Sequence, residues 1–140
     1  MLRKMIQMSL VAALGLSATL LAYGAATASP LADETPTVKE IMTKGHKGTD
    51  AYLAKIKGAV KDGKWEDAQK YAKTLAFFGE SLGKNKAAKG DADSWKTLSE
   101  KYAASTKAVF EATEKKDAKA ANAGLAAIGA SCGACHKVHK

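Results

Sequence analysis

The sequence predicts an all-α protein, an antiparallel up-and-down bundle of four helices. Apolar residues recur at steps of three and four along four segments, which is the spacing of one helical face. No segment alternates apolar and polar residues with a period of two or is enriched in β-branched residues, as strands would be. Four helices of roughly 20 residues joined by short turns pack most simply as antiparallel neighbours.

Residues 1–28 have the features of a secretory signal rather than of a helix in the bundle. Arg3 and Lys4 precede an apolar run at 9–22, and small residues follow in the A-x-A pattern of a cleavage site. The run is shorter than the roughly 20 residues that a membrane-spanning helix needs, and an uncleaved anchor is the alternative. We therefore expect residues 29–140 to be one exported, periplasmic domain that does not span the membrane.

The first predicted helix begins at Pro36, with Thr35 as its N-cap. Proline is tolerated at the first helical position, and a threonine oxygen can accept a hydrogen bond from an unpaired N–H group. The apolar face keeps its phase through two glycines as far as Val60, so we expect one continuous helix rather than two. An Asp-Gly turn signal ends it.

The other three helices follow from the same spacing. The second carries its apolar face from Trp65 to Leu82, and a lysine-rich stretch at 83–90 predicts a solvated loop. The third begins near Asp93, a good N-cap, and carries its face to Thr113. The apolar face of the fourth helix consists of Ala118, Ala121, Leu125, Ile128, Cys132, Cys135, His136 and His139.

The chain is basic, with 22 Lys+Arg against 14 Asp+Glu and a net charge of +8. Its only arginine is Arg3 in the predicted signal, so the exported protein would be basic through lysine alone. Specific DNA recognition most often uses bidentate arginine contacts to guanine, which argues against a nucleic-acid partner. No Ser/His/Asp group, carboxylate pair or Gly-rich phosphate loop stands out, so no enzyme is predicted.

The run Cys132-Gly133-Ala134-Cys135-His136 has the spacing of a c-type haem attachment site. On a helix, positions i, i+3 and i+4 share a face, so Cys132, Cys135 and His136 would point into one groove. The two thiols could then form thioethers with the haem vinyl groups, while the His136 imidazole reaches the iron as proximal ligand. The motif therefore predicts one covalently bound haem c.

Two other kinds of site use cysteines at this spacing. A redox-active Cys-x-x-Cys pair normally opens a helix after a strand, whereas this motif closes the last helix of a chain without predicted strands. A zinc site would need a further ligand beyond Cys132, Cys135 and His136, from His46, His139 or a carboxylate. Export favours haem over both, because free thiols in an oxidising compartment tend to form a disulfide.

With this motif at the C-terminus of four predicted helices, residues 35–140 resemble the class II c-type cytochromes, the family of cytochrome c′ and its low-spin relatives. Class I cytochromes carry the motif near the N-terminus. The resemblance implies that the residue facing the iron from the first helix determines the chemistry, and Met42, in the run Glu-Ile-Met-Thr-Lys, matches that position. Members with Met there are usually six-coordinate electron carriers, whereas members with Leu or Phe are five-coordinate and bind small gases.

Met42 suits an iron-ligating role by its own chemistry. A thioether is a soft ligand that raises the potential of a His/Met haem, and Met42 lies on the apolar face of the first helix. Packing in the core is the alternative, as for most methionines. His46 is a rival ligand four residues later, although its lysine and glycine neighbours predict an exposed side chain.

The resemblance thus implies an exported cytochrome that carries single electrons between redox proteins, with His136 and Met42 as axial ligands. The alternative is a protein that binds nitric oxide or carbon monoxide, in which Met42 does not ligate. The family also allows a homodimer through the first two helices. The lysines that would either face an acidic redox partner or form a solvated surface are Lys39, Lys44, Lys47, Lys137 and Lys140.

The chain departs from the family at its end. Members commonly have an aromatic residue and an arginine three and four positions after the haem histidine, where this chain has His139 and Lys140. His139 could make a pH-dependent interaction near the iron ligand. We instead expect it at a frayed, solvent-facing terminus.

Overall fold

The computed structural model describes residues 35–140, which form five α-helices and, within that range, no strand. The helices are α1 (Val38–His46), α2 (Tyr52–Lys61), α3 (Trp65–Leu82), α4 (Ala92–Glu114) and α5 (Ala118–His139). The all-α prediction is confirmed. The signal peptide predicted at residues 1–28 lies outside the described residues. None of the five helices has the length and hydropathy needed to cross a membrane.

The prediction of one continuous first helix is wrong, because the chain breaks between α1 and α2. After α1 ends at His46, Gly48 adopts a left-handed conformation with a φ of 82°. Glycine reaches this conformation at little cost because it has no Cβ. The break does not disturb the apolar pattern, since Ile56 of α2 is buried as fully as Ile41 of α1. Periodicity alone therefore could not reveal it.

The start of α1 also differs from the prediction. Thr37, not Thr35, is the N-cap, and Pro36 lies before the helix. Thr37 Oγ1 accepts a hydrogen bond from the Glu40 N–H at 3.2 Å, and Glu40 Oε2 accepts one from the Thr37 N–H at 3.0 Å. This reciprocal capping box satisfies two N–H groups that would otherwise lack partners at the helix start.

The helices pack around one core, in which α3 contacts α2 and α4, and α5 contacts α2 and α4. The first turns of α3 lie against the end of α4, where Gln69 Nε2 donates a hydrogen bond to the Thr113 carbonyl at 3.2 Å. The start of α4 lies beside the end of α5, where the Trp95 and His139 rings are 5.3 Å apart. Apolar side chains with no exposed surface at the centre of the core are Ile41, Ile56, Leu75, Val109 and Ile128.

The predicted apolar faces of α3, α4 and α5 are largely buried, and the differences lie near helix ends. Asp91 rather than Asp93 caps α4, because its carboxylate accepts a hydrogen bond from the Ser94 N–H at 2.7 Å. Two residues that the spacing included in the face of α5 are exposed, namely Ala118 in its first turn and His136 in its last turn. Element interiors thus follow the apolar pattern, whereas their ends follow local capping.

The stretch predicted as a solvated loop is partly buried. The α3–α4 connection, residues 83–91, carries Ala87, which packs against the core. Asn85 is half-buried, and its carbonyl accepts a hydrogen bond from Trp95 Nε1 at 2.7 Å. The lysines of this stretch suggested solvent exposure and are exposed, but Asn85 and Ala87 between them are partly buried.

Candidate functional site

The Cys-x-x-Cys-His motif lies within one uninterrupted helix, which brings its three functional side chains to one face. α5 continues from Ala118 to His139 without a break. Cys132, Cys135 and His136 all line one cavity of about 190 Å³. A helical backbone therefore presents two sulfur atoms and one imidazole to the same space.

Both cysteines are free thiols of intermediate exposure. Cys132 Sγ donates a hydrogen bond to the Ile128 carbonyl at 3.4 Å, one turn earlier in α5. Burial raises the pKa of the Cys135 thiol, and the neighbouring Cys132 raises it further. The raised pKa keeps Cys135 a protonated thiol at neutral pH.

Met42 of α1 lines the same cavity as the three motif residues. Its side chain is partly buried and packs against the core. Met42, Cys135 and His136 also line a second cavity of about 440 Å³, which extends to Trp95 and His139. The thioether of α1 and the donor groups of α5 thus border the same unfilled space.

His46 is half-buried, contrary to the exposure predicted from its neighbours, and it lines the first cavity. Its Nε2 lies 2.7 Å from the Tyr102 hydroxyl oxygen, and the two ring centroids are 5.5 Å apart. Its Nδ1 is buried without a hydrogen-bond partner among the described residues. Burial lowers the pKa of His46, and nearby His136 lowers it further. His46 therefore borders the cavity as a neutral imidazole at pH 7.

Tyr102 is the site residue that the sequence pattern did not single out. It was predicted only as a member of the apolar face of the third helix. Burial raises the pKa of Tyr102, and nearby Cys132 raises it further, so the hydroxyl stays protonated and can hydrogen-bond with His46. The two residues are 56 positions apart in sequence, and no local pattern could have paired them.

A third cavity of about 460 Å³ shares His46 with the first and is lined by Leu53 of α2 and Leu125 of α5. The three cavities adjoin through shared residues, and together we call them the α1–α5 cleft. Ligand sites in proteins are concave, mostly apolar and about 300–1,000 Å³ in volume. The cleft thus brings two thiols and an imidazole of α5 and a thioether of α1 to the same space, a set of donor atoms that could hold a haem iron and its attachment bonds.

Among the residues that line the α1–α5 cleft, the formal side-chain charges all belong to lysines. These are Lys39, Lys57, Lys101 and Lys140, and no Asp or Glu side chain of residues 35–140 lines it. By contrast, the cavity at the start of α3 is lined by Glu66 and Asp67 as well as by two lysines, Lys64 and Lys116. Lys44, one of the lysines predicted to face a partner, instead pairs with Glu40 at 3.5 Å on the exposed surface of α1.

His139 is buried, so the prediction of a frayed terminus is wrong. Only 7% of the residue is exposed. Its Nδ1 lies 2.8 Å from the Lys89 carbonyl oxygen, and its Nε2 lies 3.1 Å from Ser94 Oγ. The apolar spacing of the fourth helix included His139, and it was a better guide than the nearness of the chain end.

A scan against protein-family models and searches of curated proteins and of solved structures each found no match. Function is therefore inferred from the residues of the cleft and their chemistry.

Proposed function

We propose that this chain is an exported monohaem c-type cytochrome of class II that carries single electrons between redox proteins. The observation that carries the proposal is one cavity lined by Cys132, Cys135 and His136 from α5 and by Met42 from α1. Cys132 and Cys135 would hold haem c through thioether bonds, with His136 as proximal and Met42 as distal iron ligand. When bound, the iron supplies a one-electron couple.

The surrounding residues contribute what an electron carrier needs from its protein. Met42 and Cys135 both pack against the buried core, which limits their movement when the charge at the site changes. Met42 is the only methionine in residues 29–140. If a methionine sulfur ligates the iron of the exported protein, that methionine is therefore Met42. Two soft or borderline ligands on separate helices favour a six-coordinate site that keeps its ligands in both oxidation states.

We further propose that residues 1–28 direct export to the periplasm and that the remaining chain is an antiparallel up-and-down bundle enclosing the haem. In this arrangement α1 and α2 together occupy the place of the first helix. The contacts of Gln69 with Thr113 and of Trp95 with His139 support opposite directions for successive helices.

The redox partner in this proposal presents an acidic surface. The lysine side chains of the α1–α5 cleft support it, because complementary charge steers partners and accelerates their encounter. Lys101 borders the cavity that contains the motif, and Lys39 and Lys140 border the adjoining one. Electron transfer would then take place where the cleft meets solvent.

A second candidate is a protein that binds nitric oxide or carbon monoxide, in which Met42 packs without ligating. The observation that favours it is the His46–Tyr102 pair, since His46 Nδ1 is buried without a partner among residues 35–140 and His46 lines the same cavity. Hydrogen-bonding groups and open space on the distal side of a haem determine whether a diatomic ligand binds. The His46–Tyr102 pair lines the same cavity as Met42 and could supply such hydrogen bonds.

Absorption spectra of the exported protein in both oxidation states test these candidates. Sharp α and β bands after reduction and a weak sulfur-to-iron band after oxidation are expected for the electron carrier. A broad high-spin spectrum that shifts on adding carbon monoxide would instead support the gas-binding candidate. A purified exported protein without covalently bound haem would contradict both.

Substitution of the proposed distal ligand gives the sharper test. Met42→Leu approximately keeps the side-chain volume and removes the sulfur, so we expect loss of the sulfur-to-iron band and a high-spin spectrum. His46→Ala is the matched control on the same helix and should remain low-spin. The reverse pattern, a low-spin Met42→Leu and a high-spin His46→Ala, would assign the distal position to His46.

A further inference from the structure

The last turn of α5 is held in place by three contacts of His139. The Lys89 carbonyl can only accept, so His139 Nδ1 donates to it at 2.8 Å. In the neutral imidazole, Nε2 then accepts a hydrogen bond from the Ser94 hydroxyl at 3.1 Å. The Trp95 ring lies edge-on to the imidazole at 5.3 Å between centroids. The turn that carries Cys135 and His136 is therefore fastened to the α3–α4 connection and to the start of α4.

The start of α1 is fastened to the same connection. Asn85 Nδ2 donates hydrogen bonds to the Pro36 carbonyl at 3.0 Å and to the Ser81 carbonyl at 2.9 Å. The Asn85 carbonyl in turn accepts from Trp95 Nε1 at 2.7 Å. Trp95 thus contacts both Asn85, which holds the segment preceding α1, and His139, which holds the end of α5.

This link spans the end of the α1–α5 cleft. The cavity of about 440 Å³ has Val38 and Met42 of α1 and His136 and His139 of α5 in its lining, together with Ala88 of the connection. Because the two helices border unfilled space there, the connection supplies packing and hydrogen bonds that join them. A shift of the connection would therefore move one helix end relative to the other.

We propose that His139 and Asn85 are positioning residues, which set the separation of Met42 and His136 by tying α1 and α5 to the α3–α4 connection. The identity of Met42 and His136 as iron ligands rests on the proposed function. The mechanical link between the two helices rests on the hydrogen bonds alone. An experiment can therefore contradict the link between the helices without contradicting the assignment of the iron ligands, and the reverse.

Gly90 provides an independent way to disturb the link. Its φ is 86°, and a Cβ at this position would lie 2.5 Å from His139 Nδ1 and 2.8 Å from His139 Cε1. A residue larger than glycine must therefore displace the imidazole or move the connection. Gly63 is a matched control, since its φ is 69° and a Cβ there would meet nothing within 4 Å.

Backbone amide hydrogen exchange of the exported protein tests the mechanical link. In His139→Ala and Gly90→Ala we expect exchange in the last turn of α5 and in α1 to accelerate by about tenfold or more relative to the interior of α3, because the hydrogen bonds of His139 to the Lys89 carbonyl and the Ser94 hydroxyl are lost. Gly63→Ala has the same backbone strain and should leave that ratio unchanged. Acceleration in α5 with unchanged exchange in α1 would overturn the proposal.

The sulfur-to-iron band of the haem-loaded protein tests the effect on the ligands. His139→Ala and Asn85→Ala should each weaken this band and increase the fraction that reacts with carbon monoxide, while the covalent haem content stays unchanged. His139→Phe keeps an aromatic ring against Trp95 without the hydrogen bonds, and we expect an intermediate band. Variants that unfold at lower temperature but keep a full-strength band would overturn the positioning role.

The two readouts separate this proposal from the proposed function. If the exported protein carries no covalent haem, the proposed function fails, while the exchange experiment still decides whether His139 couples α5 to α1. If haem is present and the exchange in α1 does not respond to His139→Ala, the link fails and the proposed function stands.

Discussion

Among single residues, His46 and Tyr102 contribute a hydrogen-bonded polar pair to the lining of the first cavity. The Tyr102 hydroxyl lies within hydrogen-bond distance of His46 Nε2, whereas His46 Nδ1 has no partner in residues 35–140. Burial holds His46 neutral and holds the Tyr102 phenol protonated, because it lowers the pKa of one and raises the pKa of the other. One hydroxyl is therefore the sole hydrogen-bonding partner of the imidazole within the described chain.

We expect Tyr102→Phe to lower the free energy of unfolding by about 1–3 kcal/mol, because it leaves both nitrogens of a half-buried imidazole unpaired. Urea denaturation of the exported protein measures this change. Tyr52→Phe is the control, since Tyr52 packs against Tyr71 and Phe78 and its hydroxyl makes no hydrogen bond within residues 35–140. Equal losses in the two variants would contradict the importance of the His46 hydrogen bond.

The sequence predicts the positions of some cleft residues, but it does not predict the burial of others that depends on distant parts of the chain. Cys132, Cys135 and His136 follow from the motif, because helical spacing alone brings them to one face. The environments of His46 and His139 depend on partners 56 and 50 positions away. Flanking lysines and a chain end are local features, and they gave the wrong exposure for both histidines.

Between elements, α3 and α4 approach each other closely at Gly79. A Cβ at Gly79 would lie 3.1 Å from the backbone Cα of Ala103 and would collide with Thr106 Oγ1. The Thr106 hydroxyl is itself held by a hydrogen bond to the Ala103 carbonyl at 2.9 Å. Neither atom can move freely, so the absence of a side chain at Gly79 sets the separation of the two helices.

We expect Gly79→Ala to destabilise the fold by about 1–3 kcal/mol, the usual cost of overpacking a close contact. Gly58→Ala should have the opposite sign, because Gly58 lies in α2 and a Cβ there would meet nothing within 4 Å, and alanine is favoured over glycine in helices by about 0.5–1 kcal/mol. Chemical denaturation of both variants measures the difference. Stabilisation by Gly79→Ala would contradict the close approach.

Helix interiors were predictable from spacing, and the boundaries were not. The face of α3 from Ala68 to Leu82 is buried as expected, because burial of one face requires that spacing. The cap at Thr37 depends on its two hydrogen bonds with Glu40, and the break at Gly48 depends on one φ angle. Neither changes the apolar period. The division into α1 and α2 was therefore missed, although the all-α prediction was confirmed.

Across the whole molecule, the charge is uneven in a way that matters for partners. The chain carries a net charge of +8, and among residues 35–140 lysine provides every formal side-chain charge that lines the α1–α5 cleft. At the start of α3, by contrast, Glu66 and Asp67 line another cavity together with Lys64 and Lys116, so that the formal side-chain charges there balance. A redox reagent of negative charge should therefore be attracted to the cleft and less so to the start of α3.

We expect Lys101→Glu to slow reduction of ferricyanide, an anionic oxidant, by roughly twofold to tenfold at low ionic strength, because it reverses a charge at the cleft. The difference from the unmodified protein should shrink as salt is added. Stopped-flow measurements over a range of salt concentrations determine both effects. Lys64→Glu makes the same change in net charge beside Trp65 and should slow the reaction less. Equal slowing by the two variants would indicate that only net charge matters.

The break at Gly48 also has a consequence for the order of events during maturation. α1 contains nine residues, and isolated helices shorter than about 12 residues are marginal in water. The longer helices α3, α4 and α5 do not need α1 for their contacts with one another. We therefore expect α1 to dock after α3, α4 and α5 have packed together. The thiols of Cys132 and Cys135 would then remain reachable for chemistry until α1 brings Met42 to the cleft.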